Sequence, residues 1–192
     1  MKTRFAFAKS AILACASCGK EITRRVPPGD SRERAVCTSC GAIHYENPKL
    51  VVGCVPVWED RILLCRRAIE PRYGYWTLPA GFMENGESTA DGAARETMEE
   101  AGAWVADLRP FALIDVPYVN QVHLYYTARL TNLDFTSGDE SLETRLHLES
   151  EVPWDDISFR TVLETLRFFF ADRARGQFGF HHQTLAYPPV SG

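Results

Sequence analysis

The sequence predicts an α/β fold in two parts: a small β ribbon at the amino-terminal end, then one larger domain in which strands and helices mix. Three observations carry this. Residues 15–41 hold two C-x-x-C-G knuckles separated by eighteen residues. From residue 50 onward, valine-rich and alternating stretches of strand length are interrupted by helical periodicity, without the regular βαβ repetition of a doubly wound sheet. The charge divides at the same place: residues 1–49 carry nine Lys or Arg against four acids, a net +5, and residues 50–192 carry twelve against twenty-one, a net −9.

A chain of 192 residues with 45% hydrophobic and 24% charged side chains can bury a real core, which excludes collagen-like, low-complexity and wholly disordered readings. The longest valine-rich stretch, 50–57, is strand-sized and far short of the about 20 apolar residues of a membrane span. The acidic larger part repels a phosphate backbone, so nucleic acid is not the leading partner. Residues 1–14 are basic with small apolar residues, but Lys9 interrupts any signal-peptide core, and the segment reads as a flexible leader. A weak organelle-targeting role for it stays open.

Cys15, Cys18, Cys37 and Cys40 form the two knuckles. Two residues between thiolates let one tight turn present both sulfurs to a tetrahedral ion, and Gly19 and Gly41 supply the backbone freedom the turn needs. Pro27, Pro28, Gly29 and Asp30 between the knuckles read as a hairpin tip. A redox dithiol needs only one such motif, so the second copy favours structural Zn²⁺ bound by residues 15–46, with no open coordination position for chemistry. Cys54 and Cys65 lie in apolar stretches and read as plain buried thiols, which suggests a reducing, cytoplasmic setting.

After Asn47-Pro48, residues 50–58 and 61–67 read as two strands joined by a Glu59-Asp60 turn. A looser segment leads to Trp76-Thr77-Leu78-Pro79-Ala80-Gly81-Phe82. Ser88 is an N-cap, Asp91 follows three residues on, and Gly102 stops the run, so residues 88–101 read as one capped helix. On it Glu96, Glu99 and Glu100 stand at i, i+3 and i+4, one face with three repelling carboxylates. Such a face calls for a bound cation or for plain solvent. Downstream, 111–116 and 121–128 alternate like strands, 157–170 has helical periodicity, and residues 172–192 read as a loosely packed tail. His181 and His182 in that tail are too isolated for a metal site.

Gly81, then Glu87, then Arg95-Glu96-Thr97-Met98-Glu99-Glu100-Ala101-Gly102 resembles the signature box of the Nudix hydrolases. Thr97 and Ala103 depart from the family's larger aliphatic residues, at packing positions. The order of zinc ribbon, Tyr45-Glu46-Asn47-Pro48-Lys49, valine-rich strand and Trp76-to-Gly81 segment is similar to the ribbon-bearing Nudix dinucleotide pyrophosphatases, the group of the plant plastid FAD diphosphatase and its bacterial relatives. The resemblance implies a Nudix α/β/α sandwich over residues 47–171.

It also implies metal-dependent hydrolysis of a nucleoside diphosphate linked to another moiety, releasing AMP and a phosphorylated product. Mg²⁺ or Mn²⁺ would be held by Glu96, Glu99, Glu100 and the backbone carbonyl of Ala80, hard oxygen donors that suit those ions. Glu87 and Arg95 would form an ion pair that, with Gly81 and Gly102, holds the box in shape. The family usually adds a glutamate from a later loop as base or ligand. Glu140 and Glu143 are the candidates here, and Glu143 is favoured because it immediately precedes what reads as the next strand. The Ser-Gln-Pro-Trp-Pro-Phe-Pro run of the family's NADH-type enzymes does not follow Ala103, which puts FAD and ADP-ribose ahead of NADH. A nucleotide-sensing regulator whose ribbon binds nucleic acid or protein, and a decapping or triphosphate hydrolase, are the competing classes. A homodimer is compatible with the resemblance.

Overall fold

The computed structural model describes residues 12–186. The chain divides after Pro48 into two compact units. The leader assigned to residues 1–14 lies outside the described residues except for its last three, of which Ala14 bridges Glu21.

The first unit is an antiparallel three-stranded ribbon of β1 (Ile22–Arg25), β2 (Arg34–Cys37) and β3 (Ile43–His44) in the order β1-β2-β3. The tip forms where expected: Asp30 N–H donates to the Pro27 carbonyl, and the Asp30 carboxylate accepts from the amides of Ser31 and Arg32 and from Arg34. Gly19 and Gly41 follow the two knuckles with φ of 70° and 74°, the left-handed turn that only glycine enters freely.

The second unit is an eight-stranded mixed sheet between two helices. Its strands are β4 (Lys49–Trp58), β5 (Arg61–Arg67), β6 (Trp76–Thr77), β7 (Ala80–Phe82), β8 (Val105–Val116), β9 (Gln121–Leu130), β10 (Ser141–His147) and β11 (His181–Thr184), and its helices are α1 (Thr89–Ala101) and α2 (Arg160–Arg175). The sheet runs β10-β5-β4-β9-β8-β11, with β4/β9 and β8/β11 parallel. Strand alternation separates the two faces. Cys54 lies under Ala93 of α1, while Val55 packs with Val162 and Leu166 of α2, so the helices cover opposite sides. This is the expected α/β/α sandwich. No helix among the described residues is long and apolar enough to cross a membrane.

One irregularity positions the site. β4 and β5 pair only at Val57–Ile62 and Trp58–Arg61, then diverge. β6 and β7 fill the wedge, β6 on β5 and β7 on β4. The approach of β7 needs a glycine on β4: a Cβ at Gly53 would lie 2.4 Å from the Ala80 Cβ and 2.6 Å from the Pro79 carbonyl oxygen.

The expected loosely packed tail is corrected over residues 172–186, and residues 187–192 lie outside the described residues. α2 runs on to Arg175 and stops at Gly176, whose φ is 67°. Arg173 and Arg175 suit its carboxyl end. Asp172, 1% exposed, accepts from the Gly179 amide, His181 and Arg175, and β11 then joins the sheet beside β8. His182 and Thr184 donate to Asp115, and Leu185 is buried against Ile114 and Val116. The residues read as tail polarity are the partners that hold this strand. Asp172→Ala removes the shared acceptor of the Gly179 amide, His181 and Arg175, so about 1 to 3 kcal/mol of stability should go. Amide exchange checks it: His181–Thr184 should lose protection first, and unchanged protection there would refute the anchor.

Candidate active site

The site is built on α1 and on what the wedge brings to it. Ser88 caps the helix, its Oγ accepting from the Asp91 amide at 3.2 Å, and Gly102 ends it with φ of 58°. Glu96 and Glu100 are buried and Glu99 is exposed, so the expected carboxylate face lies half under β7 and half in solvent. Gly81 explains the fit: a Cβ there would sit 2.3 Å from a Glu96 carboxylate oxygen, so any side chain at position 81 would displace the Glu96 carboxylate.

Arg95 organises the charges. Its guanidinium donates to both Glu87 oxygens at 2.9 and 3.0 Å, to Glu96 at 2.8 Å, to Glu99 at 3.0 Å and to the Phe82 carbonyl at 3.2 Å. Glu87 also accepts from the Glu84 amide at 2.7 Å, and Arg95 together with that amide holds its carboxyl down at about 2. Gly92 makes room for this carboxylate, since a Cβ there would lie 2.6 Å from it.

Glu100 is the strained member. Burial first, then the neighbouring Glu96 charge, pushes its carboxyl up to about 8 against the pull of Arg67 and the Ala80 amide. One of its oxygens is buried without a hydrogen-bond partner. Burial raises Glu96 as well, with Arg95 opposing and the charges of Glu99 and Glu140 adding to the rise. A buried carboxyl oxygen without a donor, among further carboxylates, is the kind of oxygen set that suits a hard cation. The register adds a neutral oxygen. Pro79 O accepts from Cys54 N, and Leu50 O from Met83 N, so Ala80 falls at a non-hydrogen-bonded position of the β4/β7 ladder and its carbonyl is not used by β4.

The structure separates the two later glutamates and corrects the strand boundary on which the preference for Glu143 rests. β10 starts at Ser141, so Glu143 lies inside the strand, after a bulge at Leu142. Leu146 packs with Leu63, Cys65 and Ala101 on the α1 side, so alternation turns Glu143 with His147 to the opposite side, where His147 meets Trp76 edge-on. The charge of Glu143 acts on His147, whereas that of Glu140 acts on both Glu96 and Glu100. The reading from sequence took Glu143 as the residue before the strand. The strand begins two residues earlier, and the bulge sets which face each glutamate takes.

In the ribbon, the sulfurs of Cys15, Cys18, Cys37 and Cys40 lie within 4.8 Å of one another. The Cys15–Cys40, Cys18–Cys37 and Cys18–Cys40 separations are 3.7, 3.5 and 3.6 Å. A tetrahedral ion with metal–sulfur bonds of about 2.3 Å needs edges of about 3.8 Å, so the four thiols fit one ion. The amides of Ser39 and Cys40 point at Cys37 Sγ, as expected around a thiolate. Cys54 and Cys65 are free, fully buried and pushed by burial up to about 12, which makes them inert thiols.

A ribbon of four cysteines ahead of an α/β/α sandwich, with clustered glutamates on its first helix, defines a class that comparison with known proteins identifies. Residues 47–174 match the NUDIX domain model, and residues 15–46 match the model described as Nudix N-terminal. The crystal structure of a NUDIX hydrolase from Nitrosomonas europaea is similar with 48% identity and a TM-score of 0.87, over 90% of this chain and 98% of that one. The NAD-capped RNA hydrolase NudC of Shigella dysenteriae is 30% identical over 139 residues, 71% of this chain and 49% of NudC, so the chain spans about half the length of the curated relatives it matches. An ADP-ribose pyrophosphatase of Streptococcus suis shares the fold at 21% identity, with a TM-score of 0.55 over 72% of this chain and 100% of that one. The chain belongs to the Nudix hydrolase family.

Proposed function

We propose that the chain hydrolyses the diphosphate of a nucleoside diphosphate joined to a second moiety, FAD or ADP-ribose before others, releasing AMP and a phosphorylated product. The observation that carries this is the orphaned Glu100 oxygen within the set formed by Glu96, Glu99, Glu100, the Ala80 carbonyl and Glu140. These are the oxygens of a Mg²⁺ or Mn²⁺ site. When bound, such an ion neutralises the diphosphate and lowers the pKa of water near phosphorus. Glu96, Glu99, Glu100 and Ala80 serve as its ligands, and Arg95 with Glu87 ties the box loop to the helix. Glu140, whose charge reaches the same carboxylates, orients and deprotonates the attacking water. Four thiolates leave no open coordination position, so the ribbon's ion is structural Zn²⁺.

A base of this kind is worth about 10² to 10⁴-fold in rate. Glu140→Gln should lower kcat by that amount with little change in KM, the mark of an interaction made mainly in the transition state. Glu143→Gln should stay within a few-fold of wild type. Steady-state kinetics of both variants check the assignment, and the reverse order would reject it.

A second substrate reading rests on the 30% identity to an NAD-capped RNA hydrolase, which favours a nicotinamide dinucleotide. Against it stands the absence, after Ala103, of the Trp- and Pro-rich run of the NADH-type enzymes. AMP release from FAD, ADP-ribose, NADH and a dinucleoside polyphosphate, with Mg²⁺ and with Mn²⁺, separates the readings. NADH turned over well ahead of FAD and ADP-ribose would overturn the preferred one.

A further inference from the structure

A glycine outside the signature box controls where Glu140 stands. Residues 136–141 lie against the carboxyl end of α1. The Thr136 amide donates to the Ala101 carbonyl at 3.1 Å, and the Gly138 amide to the Glu100 carbonyl at 3.0 Å. The two segments touch backbone to backbone. A Cβ at Gly102 would lie 2.8 Å from the Thr136 carbonyl oxygen, and a Cβ at Gly138 would lie 1.8 Å from the Glu99 carbonyl oxygen. The second clash is with helical main chain, which cannot swing away as a flexible side chain could. Gly138 has no positive φ, so its requirement is space and not backbone conformation.

From that seat the chain makes one tight turn. The Ser141 amide donates to the Gly138 carbonyl at 3.0 Å, which places Asp139 and Glu140 at the two corner positions. The far corner is fastened separately, by the Ala68 amide donating to the Glu140 carbonyl at 2.8 Å at the end of β5. Glu140 is thus held between the helix that carries Glu96, Glu99 and Glu100 and the strand that carries Arg67.

We propose that Gly138 is a positioning residue for the reaction: by seating the 138–141 turn on the Glu99 and Glu100 main chain, it fixes the Glu140 carboxylate relative to the Nudix-box glutamates. This rests on the assignment of Glu140 as base. A displacement of about 1 Å in a reacting group costs about 10²-fold in rate. Any side chain at position 138 forces the turn off the helix by at least that distance.

The test uses the full chain and five variants: Gly138→Ala, a single glycine inserted between Asp139 and Glu140, Glu140→Gln, and each of the first two combined with Glu140→Gln. Turnover is read as AMP release from the fastest substrate of the panel above at saturating Mg²⁺, beside the melting temperature. Gly138→Ala and the insertion should each lower kcat about 10²-fold with KM within a few-fold. Neither should lower it further in the Glu140→Gln background, because the effect passes through that side chain. Amide exchange gives a readout independent of turnover: Ala68 and Ser141 should lose protection in Gly138→Ala while the centre of α1 keeps it. If Gly138→Ala does not fold, the insertion, which leaves the seat intact and lengthens only the turn, decides. Wild-type kcat in either variant, unchanged Ala68 protection, or losses that multiply with Glu140→Gln would overturn the inference and leave the base assignment standing. Glu140→Gln at the wild-type rate would overturn both.

Discussion

Glu100→Gln should abolish measurable turnover and at the same time make the metal-free protein more stable. The first effect follows from its oxygens being the buried ones of the proposed site. Charge stabilisation by a bound divalent ion is worth several kcal/mol, so losing a ligand should cost about 10³-fold or more in kcat. The second follows from the burial and the Glu96 charge that push Glu100 up to about 8. A carboxyl raised in the folded state binds more protons there than in the unfolded chain, so its stabilising share is full below its ordinary pKa and is lost as pH rises through 8. By pH about 8, this raised carboxyl costs on the order of a few kcal/mol relative to the unfolded chain, which the amide does not incur. Thermal melts in chelator across pH 5 to about 9 should show the wild type weakening with pH more steeply than Glu100→Gln. Parallel curves, or a variant with most of the wild-type rate, would remove Glu100 from the metal face.

Purified from metal-replete cells, the chain should carry one zinc per molecule, and Cys37→Ser should lose both the zinc and the ribbon fold. The ribbon's core is small: among the described residues, its buried apolar side chains outside the cysteines are Pro27, Ala35 and Val36. The binding free energy of a four-thiolate zinc, about 10 to 16 kcal/mol, is then the folding free energy of the unit. Strong chelation should collapse amide protection in β1 and β2 while α1 stays protected. Elemental analysis below about half an equivalent, or a ribbon that keeps its protection without metal, would reject the site.

The parts of this molecule legible in the sequence are those where chemistry is tied to spacing. The knuckles declare themselves because two residues between thiols fit one tight turn, and the helix 88–101 because its caps and its three glutamates share one period. What was not legible depends on contacts between distant segments. Whether Glu140 or Glu143 joins the helix turns on a bulge at Leu142, and nothing in Ser141-Leu142-Glu143 announces one. β11 hides in a stretch of His, Gln and Thr because its polar residues answer Asp115 and Asp172, 67 and 9 residues away. Gly53 and Gly138 read as ordinary glycines; each is required by a backbone that approaches from another element.

Arg95 gives the metal-free protein its own counter-ion. One guanidinium already bonds Glu87, Glu96 and Glu99, two of which are proposed ligands. Cation loading at these proposed ligands would therefore be an exchange, in which Glu96 and Glu99 would give up the guanidinium while the paired bonds to Glu87 keep Arg95 in place. Loading then draws on the difference between two electrostatic partnerships and not on the full attraction of bare carboxylates. Such an exchange would favour a doubly charged ion over a monovalent one, since only the former exceeds the charge of the guanidinium it displaces.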